Sequence, residues 1–110
     1  MEQADQAQDI LGEKMAVYMI IDATDVNNPE MYREYVRKVP EIVAKFGGKY
    51  LARGGNVVSV CGEWKPERLI VVEFESMIKF QKWFNSPEYR AIKHLREGSS
   101  NVNAVVIEGC

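Results

Sequence analysis

Histidine and cysteine are scarce, and long apolar runs are missing. The chain has one histidine, His94, and two cysteines, Cys61 and Cys110. The cysteines lie far apart, without the short spacing of a thiolate metal site or a redox pair. A lone histidine with no second ligand at helical or hairpin spacing is a poor metal centre, so no metal and no cofactor are expected. No segment approaches the roughly 20 consecutive apolar residues that a membrane helix needs, so a membrane role is not expected. An excess of one charge is also absent. Fourteen basic residues face sixteen acidic ones, for a net charge of −2. No field suited to nucleic acid follows from that balance. The N-terminus, Met1-Glu2-Gln3-Ala4-Asp5-Gln6, is acidic and polar, unlike a signal peptide. A cytoplasmic setting is expected, with Cys61 a small buried hydrophobe.

What remains is an ordinary globular composition over 110 residues. That length makes one domain, able to bury roughly two-thirds of its unfolded surface without disulfides. Residues 1–14 read as a polar extension, either a loose tail or a short docking helix, and 15–110 as the single domain.

Ala16–Ala23 is the first expected strand, apolar at both parities and therefore covered on both faces. Asn28-Pro29-Glu30 starts a helix with a cap, a proline at the first helical position and an acid at the positive end of the dipole. Its stripe runs through Tyr32, Tyr35, Val36, Val39, Val43 and Phe46. Pro40 predicts a kink or a break within it, and Gly47-Gly48 an ending. Lys49–Arg53 and Asn56–Gly62 are strand-like, separated by Gly54-Gly55. Arg68–Phe74 is a central strand. Ser76 caps a helix through Ile78, Phe80, Trp83 and Phe84, and Ser86-Pro87-Glu88 starts another through Tyr89, Ile92 and Leu95. Ser99-Ser100-Asn101 reads as a loop and Val102–Glu108 as the last strand.

The order is β-α-β-β-α-β with the second helix interrupted at Ser86. It predicts an α+β, ferredoxin-like sandwich: a four-stranded antiparallel sheet, first and third strands central, helices on one face. The other face would then be apolar and open, which predicts a homodimer through the sheet faces.

Tyr50-Leu51-Ala52-Arg53-Gly54-Gly55, Gly62-Glu63-Trp64-Lys65-Pro66-Glu67-Arg68, Val72-Glu73-Phe74, Trp83-Phe84-Asn85-Ser86-Pro87-Glu88-Tyr89 and Ile107-Glu108-Gly109 occur in order and resemble the DUF1330 family over about residues 16–109. The resemblance implies the dimeric α+β barrel, a homodimer closed by two sheets. It implies no reaction. His94 stands where the family pattern often has proline, which argues against a family-wide catalytic base.

Candidate cleft walls are Tyr18, Tyr32, Tyr35, Trp64, Phe74, Trp83 and Tyr89, and candidate polar groups are Arg53, Glu73, His94, Arg96 and Asn101. The aromatics equally suit a packed core. Arg53, beside Gly54-Gly55, could grip a carboxylate or phosphate, or form an ion pair between subunits. Glu73 on a central strand needs a partner or a raised pKa. No nucleophile motif is present. The expected function is a homodimer binding a small acidic or aromatic molecule among Tyr35, Arg53, Trp64, Trp83 and Tyr89. The alternatives are a cofactor-free enzyme of the monooxygenase or isomerase type that the resemblance to the barrel group implies, with Glu73, His94 or a tyrosine moving a proton, and a purely structural dimer.

Overall fold

A computed structural model describes residues 15–110 of the chain. The polar extension expected at 1–14 lies outside the described residues. Among the described residues, four strands and three helices follow in the order β1 (Val17–Val26), α1 (Pro29–Lys45), β2 (Lys49–Arg53), β3 (Leu69–Phe74), α2 (Met77–Phe84), α3 (Pro87–Glu97) and β4 (Ser100–Glu108). The sheet order is β2-β3-β1-β4, with every neighbouring pair antiparallel. This is the ferredoxin-like α+β fold, with the two doubly apolar strands at its centre.

Side-chain parity sorts the sheet. Val17, Met19 and Ala23 of β1 and Ile70, Val72 and Phe74 of β3 are buried against the helices. The alternate positions, among them Ile20, Asp22, Val71 and Glu73, occupy the opposite face. The helices supply Tyr32, Tyr35, Val39, Val43, Trp83, Tyr89 and Ile92 to the same core.

Caps place these helices. The Asn28 side chain accepts from the Met31 N–H at 3.2 Å, as its cap position requires. At the other end of α1, Gly47 takes φ +80°. The Gly47 N–H donates to the Ala44 carbonyl and the Gly48 N–H to the Val43 carbonyl, the paired bonds of a Schellman ending. A Cβ on Gly48 would lie 2.5 Å from Val43 Cγ1 and 2.9 Å from Phe74 Cε1, so this close helix–sheet approach requires glycine.

Four expectations change. First, Pro40 neither breaks α1 nor ends it. Proline leaves the carbonyl four residues earlier, that of Val36, without its helical donor. Arg53 Nη2 donates to that carbonyl at 2.8 Å. Second, Asn56–Gly62 is not a strand. Among the described residues no strand pairs with it, and Val58 and Val60 are 79% and 92% exposed; strand propensity without pairing does not make a strand. Third, Cys61 lies in that exposed segment and is itself exposed. Fourth, the expected loop at Ser99–Asn101 is mostly strand. β4 begins at Ser100, whose partner is Val26 across a bulge that lengthens β1.

Candidate ligand-binding cavity

A cavity of about 250 Å³ lies between the helices and the covered face of the sheet. Its walls are aliphatic and aromatic, and its polar groups are tyrosine hydroxyls and the guanidiniums of Arg53, Arg68 and Arg96.

Ser86 organises the aromatic wall. Its hydroxyl donates to the Trp83 carbonyl at 2.7 Å and accepts from the Tyr89 N–H at 3.1 Å. One buried side chain thus ends α2 and starts α3, satisfying a group from each. The turn brings the Trp83 and Tyr89 rings to 4.4 Å between centroids. Trp83 also packs 5.4 Å from Phe74 and is only 2% exposed. Its buried Nε1 has no hydrogen-bond partner among the described residues, an unmade bond that costs about 1–3 kcal/mol.

A polar line crosses the wall. Arg96 Nε donates to the Tyr89 hydroxyl at 3.1 Å, and the Tyr89 and Tyr35 hydroxyls meet at 2.9 Å. Burial pushes the Tyr35 phenol far up, with further help from Tyr89. Burial also raises Tyr32, against the opposing pull of the Arg68, Arg96 and Arg53 charges, and raises Tyr50, against the pull of Arg53. Tyr32, Tyr35 and Tyr50 therefore stay protonated near neutral pH and act as hydrogen-bond donors rather than bases.

The arginines arrive from three elements. Arg53 ends β2, its guanidinium 4.6 Å over the Tyr50 ring while it holds the Val36 carbonyl. Arg68 directly precedes β3. Arg96 lies in the last turn of α3. The ion pairs among the described residues join Arg37 and Lys38 to Glu34, Lys45 to Glu88, and Lys93 to Glu97. None engages the three cavity arginines, and the cavity lining includes no carboxylate.

Of the residues singled out in the sequence, Tyr35, Arg53, Trp83 and Tyr89 meet around this cavity, together with Tyr32 and Arg96. Trp64 does not. It stands 62% exposed, its Nε1 donating to Asp22 Oδ2 at 2.9 Å in a hollow that also contains Ile20 and Val105, on the open face of the sheet. Glu73 faces that side too, opposite Tyr18 and Lys49 in the strand register, where its charge raises the Tyr18 phenol. His94 is exposed on α3. Asn101 donates to Asp25 Oδ2 at 2.9 Å. Arg68 was not foreseen, although parity with Ile70, Val72 and Phe74 places it on the covered face.

Among curated proteins, none is similar to the chain by sequence. Solved structures share its fold. A protein of unknown function from Rhodopseudomonas palustris superposes with a TM-score of 0.73 at 15% identity, over 100% of this chain and 94% of that one. SnoaB, a cofactor-independent oxygenase from Streptomyces nogalater, gives 0.61 at 9% identity, over 87% and 93%. A dimeric ferredoxin-like protein of unknown function from Thermobifida fusca gives 0.60 at 12% identity, over 88% and 93%. At such identities the likeness is one of fold and carries no activity. A family model, however, matches residues 16–110, so the chain belongs to DUF1330, a family defined as a domain of unknown function.

Proposed function

We propose that the protein is a cytoplasmic homodimer that binds a small acidic or aromatic molecule in the cavity of each subunit. The observation that carries the binding reading is a largely apolar cavity holding three guanidiniums and no carboxylate. Such a composition is costly to leave without an anion or solvent around it. The reading is tested by ligand-observed NMR with a set of small aromatic acids, amides and aliphatics. Binding is expected, and is expected to be lost in Val36→Trp, which fills the cavity from α1. Absence of any binder, or binding that survives the filled cavity, would contradict it.

The dimer is supported by the open sheet face. Leu51, Val105 and Ile107 are each more than half exposed, beside Ile20 and Val71, and a structure of the same fold is described as dimeric. An apolar face of this kind on an antiparallel sheet needs a cover, and a twofold copy supplies one with the same residues. Light scattering is expected to give twice the 12.6 kDa chain mass, and Ile107→Lys to shift it toward the monomer. A monomer at high concentration would remove this part of the reading.

The cofactor-free enzyme has less support. Glu73 and His94 stand outside the cavity, and burial disfavours the phenolates of the tyrosines inside it.

A further inference from the structure

The cavity is electrically lopsided in a way that specifies its ligand. A buried or half-buried guanidinium normally has a carboxylate near it, because an uncompensated charge in a low-dielectric setting is expensive. Here the Arg68 Nε is buried and has no hydrogen-bond partner among the described residues. Arg96 spends its Nε on the neutral Tyr89 hydroxyl. Arg53 differs from both, since its Nη2 is occupied by the Val36 carbonyl and its face by the Tyr50 ring. Neither Arg68 nor Arg96 forms an ion pair among the described residues, although the Glu97 charge acts on Arg96, and the Tyr32 phenol feels both arginines. The rest of the wall is apolar, formed by Met19, Val39, Val72 and the Trp83 ring among others.

We propose that the cavity takes an organic monocarboxylate, its carboxylate held by Arg68 and Arg96 beside the Tyr32 hydroxyl and its flat apolar body against the Trp83 wall. This rests on the small-molecule reading above and narrows it to one chemical class. Guanidinium forks match carboxylate geometry with paired, charge-assisted hydrogen bonds. The size agrees. An apolar cavity of roughly 150 Å³ accommodates a benzene, so about 250 Å³ holds one ring with a short acid-bearing arm. A bare inorganic anion would leave the aliphatic and aromatic wall unfilled, and a neutral ring would leave both guanidiniums without an ion-pair partner.

Titration calorimetry of the full-length protein with trans-cinnamate, cinnamamide and inorganic phosphate separates these cases. Cinnamate is expected to bind at least about tenfold more tightly than cinnamamide, the range of one charge-assisted contact, and phosphate is expected to bind far more weakly than cinnamate. In Arg68→Gln the preference for acid over amide is expected to fall about tenfold, because cinnamate loses a charge-assisted contact where cinnamamide loses only a neutral one; an unchanged preference would overturn the assignment. A circular dichroism spectrum and a urea midpoint like those of the unaltered protein show that the variant is folded. Equal binding of acid and amide would overturn the carboxylate assignment and leave the small-molecule cavity standing. Phosphate binding as tight as cinnamate would overturn it as well, by making the apolar wall irrelevant. No binding by any of the three probes would overturn both.

Discussion

The two tryptophans of this chain have opposite surroundings. Trp83 is almost fully buried on the helix-covered side of the sheet, against Phe74, Phe80 and Tyr89. Trp64 is mostly exposed, and its indole N–H donates to Asp22 on the open side. The covered side combines packed aromatics, a cavity and unpaired positive charge. The open side combines exposed aliphatics with a carboxylate–indole contact. The same side chain serves as a wall in one place and as surface cover in the other, so its neighbours across the sheet, rather than its identity, decide what it does. Neither tryptophan lies on a strand: α2 carries Trp83 onto the covered face and the segment between β2 and β3 carries Trp64 onto the open one, while strand parity gives the two faces their different chemistry.

The largest test of that contrast compares Trp83→Ala with Trp64→Ala in urea unfolding. Emptying a buried tryptophan site costs about 3–5 kcal/mol, whereas removing the exposed one should lower subunit stability by less than about 1 kcal/mol. Equal losses would erase the distinction between the faces. Next, Ser86→Ala should cost about 1–2 kcal/mol, because one buried hydroxyl serves both α2 and α3. A smaller effect is expected at Arg53. Arg53→Met should cost about 1 kcal/mol by leaving the Val36 carbonyl without its donor. In a Pro40→Ala background, where the helix regains its own N–H for that carbonyl, the same change should cost less. Additive losses would show that the arginine does not compensate for the proline. The smallest effect concerns Asp22, whose carboxyl is lowered by hydrogen bonds from Thr24 and then Trp64. A folded pKa below the unfolded value means that its contribution is complete above the ordinary carboxylate range and is lost as pH falls through the folded value. Trp64 fluorescence in the Trp83→Phe protein should therefore titrate below the usual Asp value of about 3.9; a midpoint at or above it would show that the indole contact does not hold the charge.

Much of the fold was legible because its signals are local. Asn28, Ser76 and Ser86 all accept the N–H three residues on, as cap residues do. The doubly apolar Ala16–Ala23 and Arg68–Phe74 segments identified the two central strands. The break allowed for at Pro40 is absent, and the donor that serves the freed carbonyl, Arg53, lies on another element that no helix periodicity reports. Asn56–Gly62 misled because strand propensity says nothing about whether a neighbour exists to pair with. Trp64 drew attention as a large aromatic within a distinctive motif, but the face it occupies depends on the path of a long loop. Arg68 was missed although its parity was readable, because a charged residue at the start of an apolar strand is easily taken for an edge.

The most direct measurement uses the two indole N–H signals in a ¹H–¹⁵N spectrum, one for each tryptophan in the sequence. With trans-cinnamate added, the account predicts that the Trp83 signal moves with ligand concentration while the Trp64 signal stays within its free position. Movement of Trp64 alone, or of neither signal at concentrations where binding is complete, would contradict a ligand cavity on the covered face.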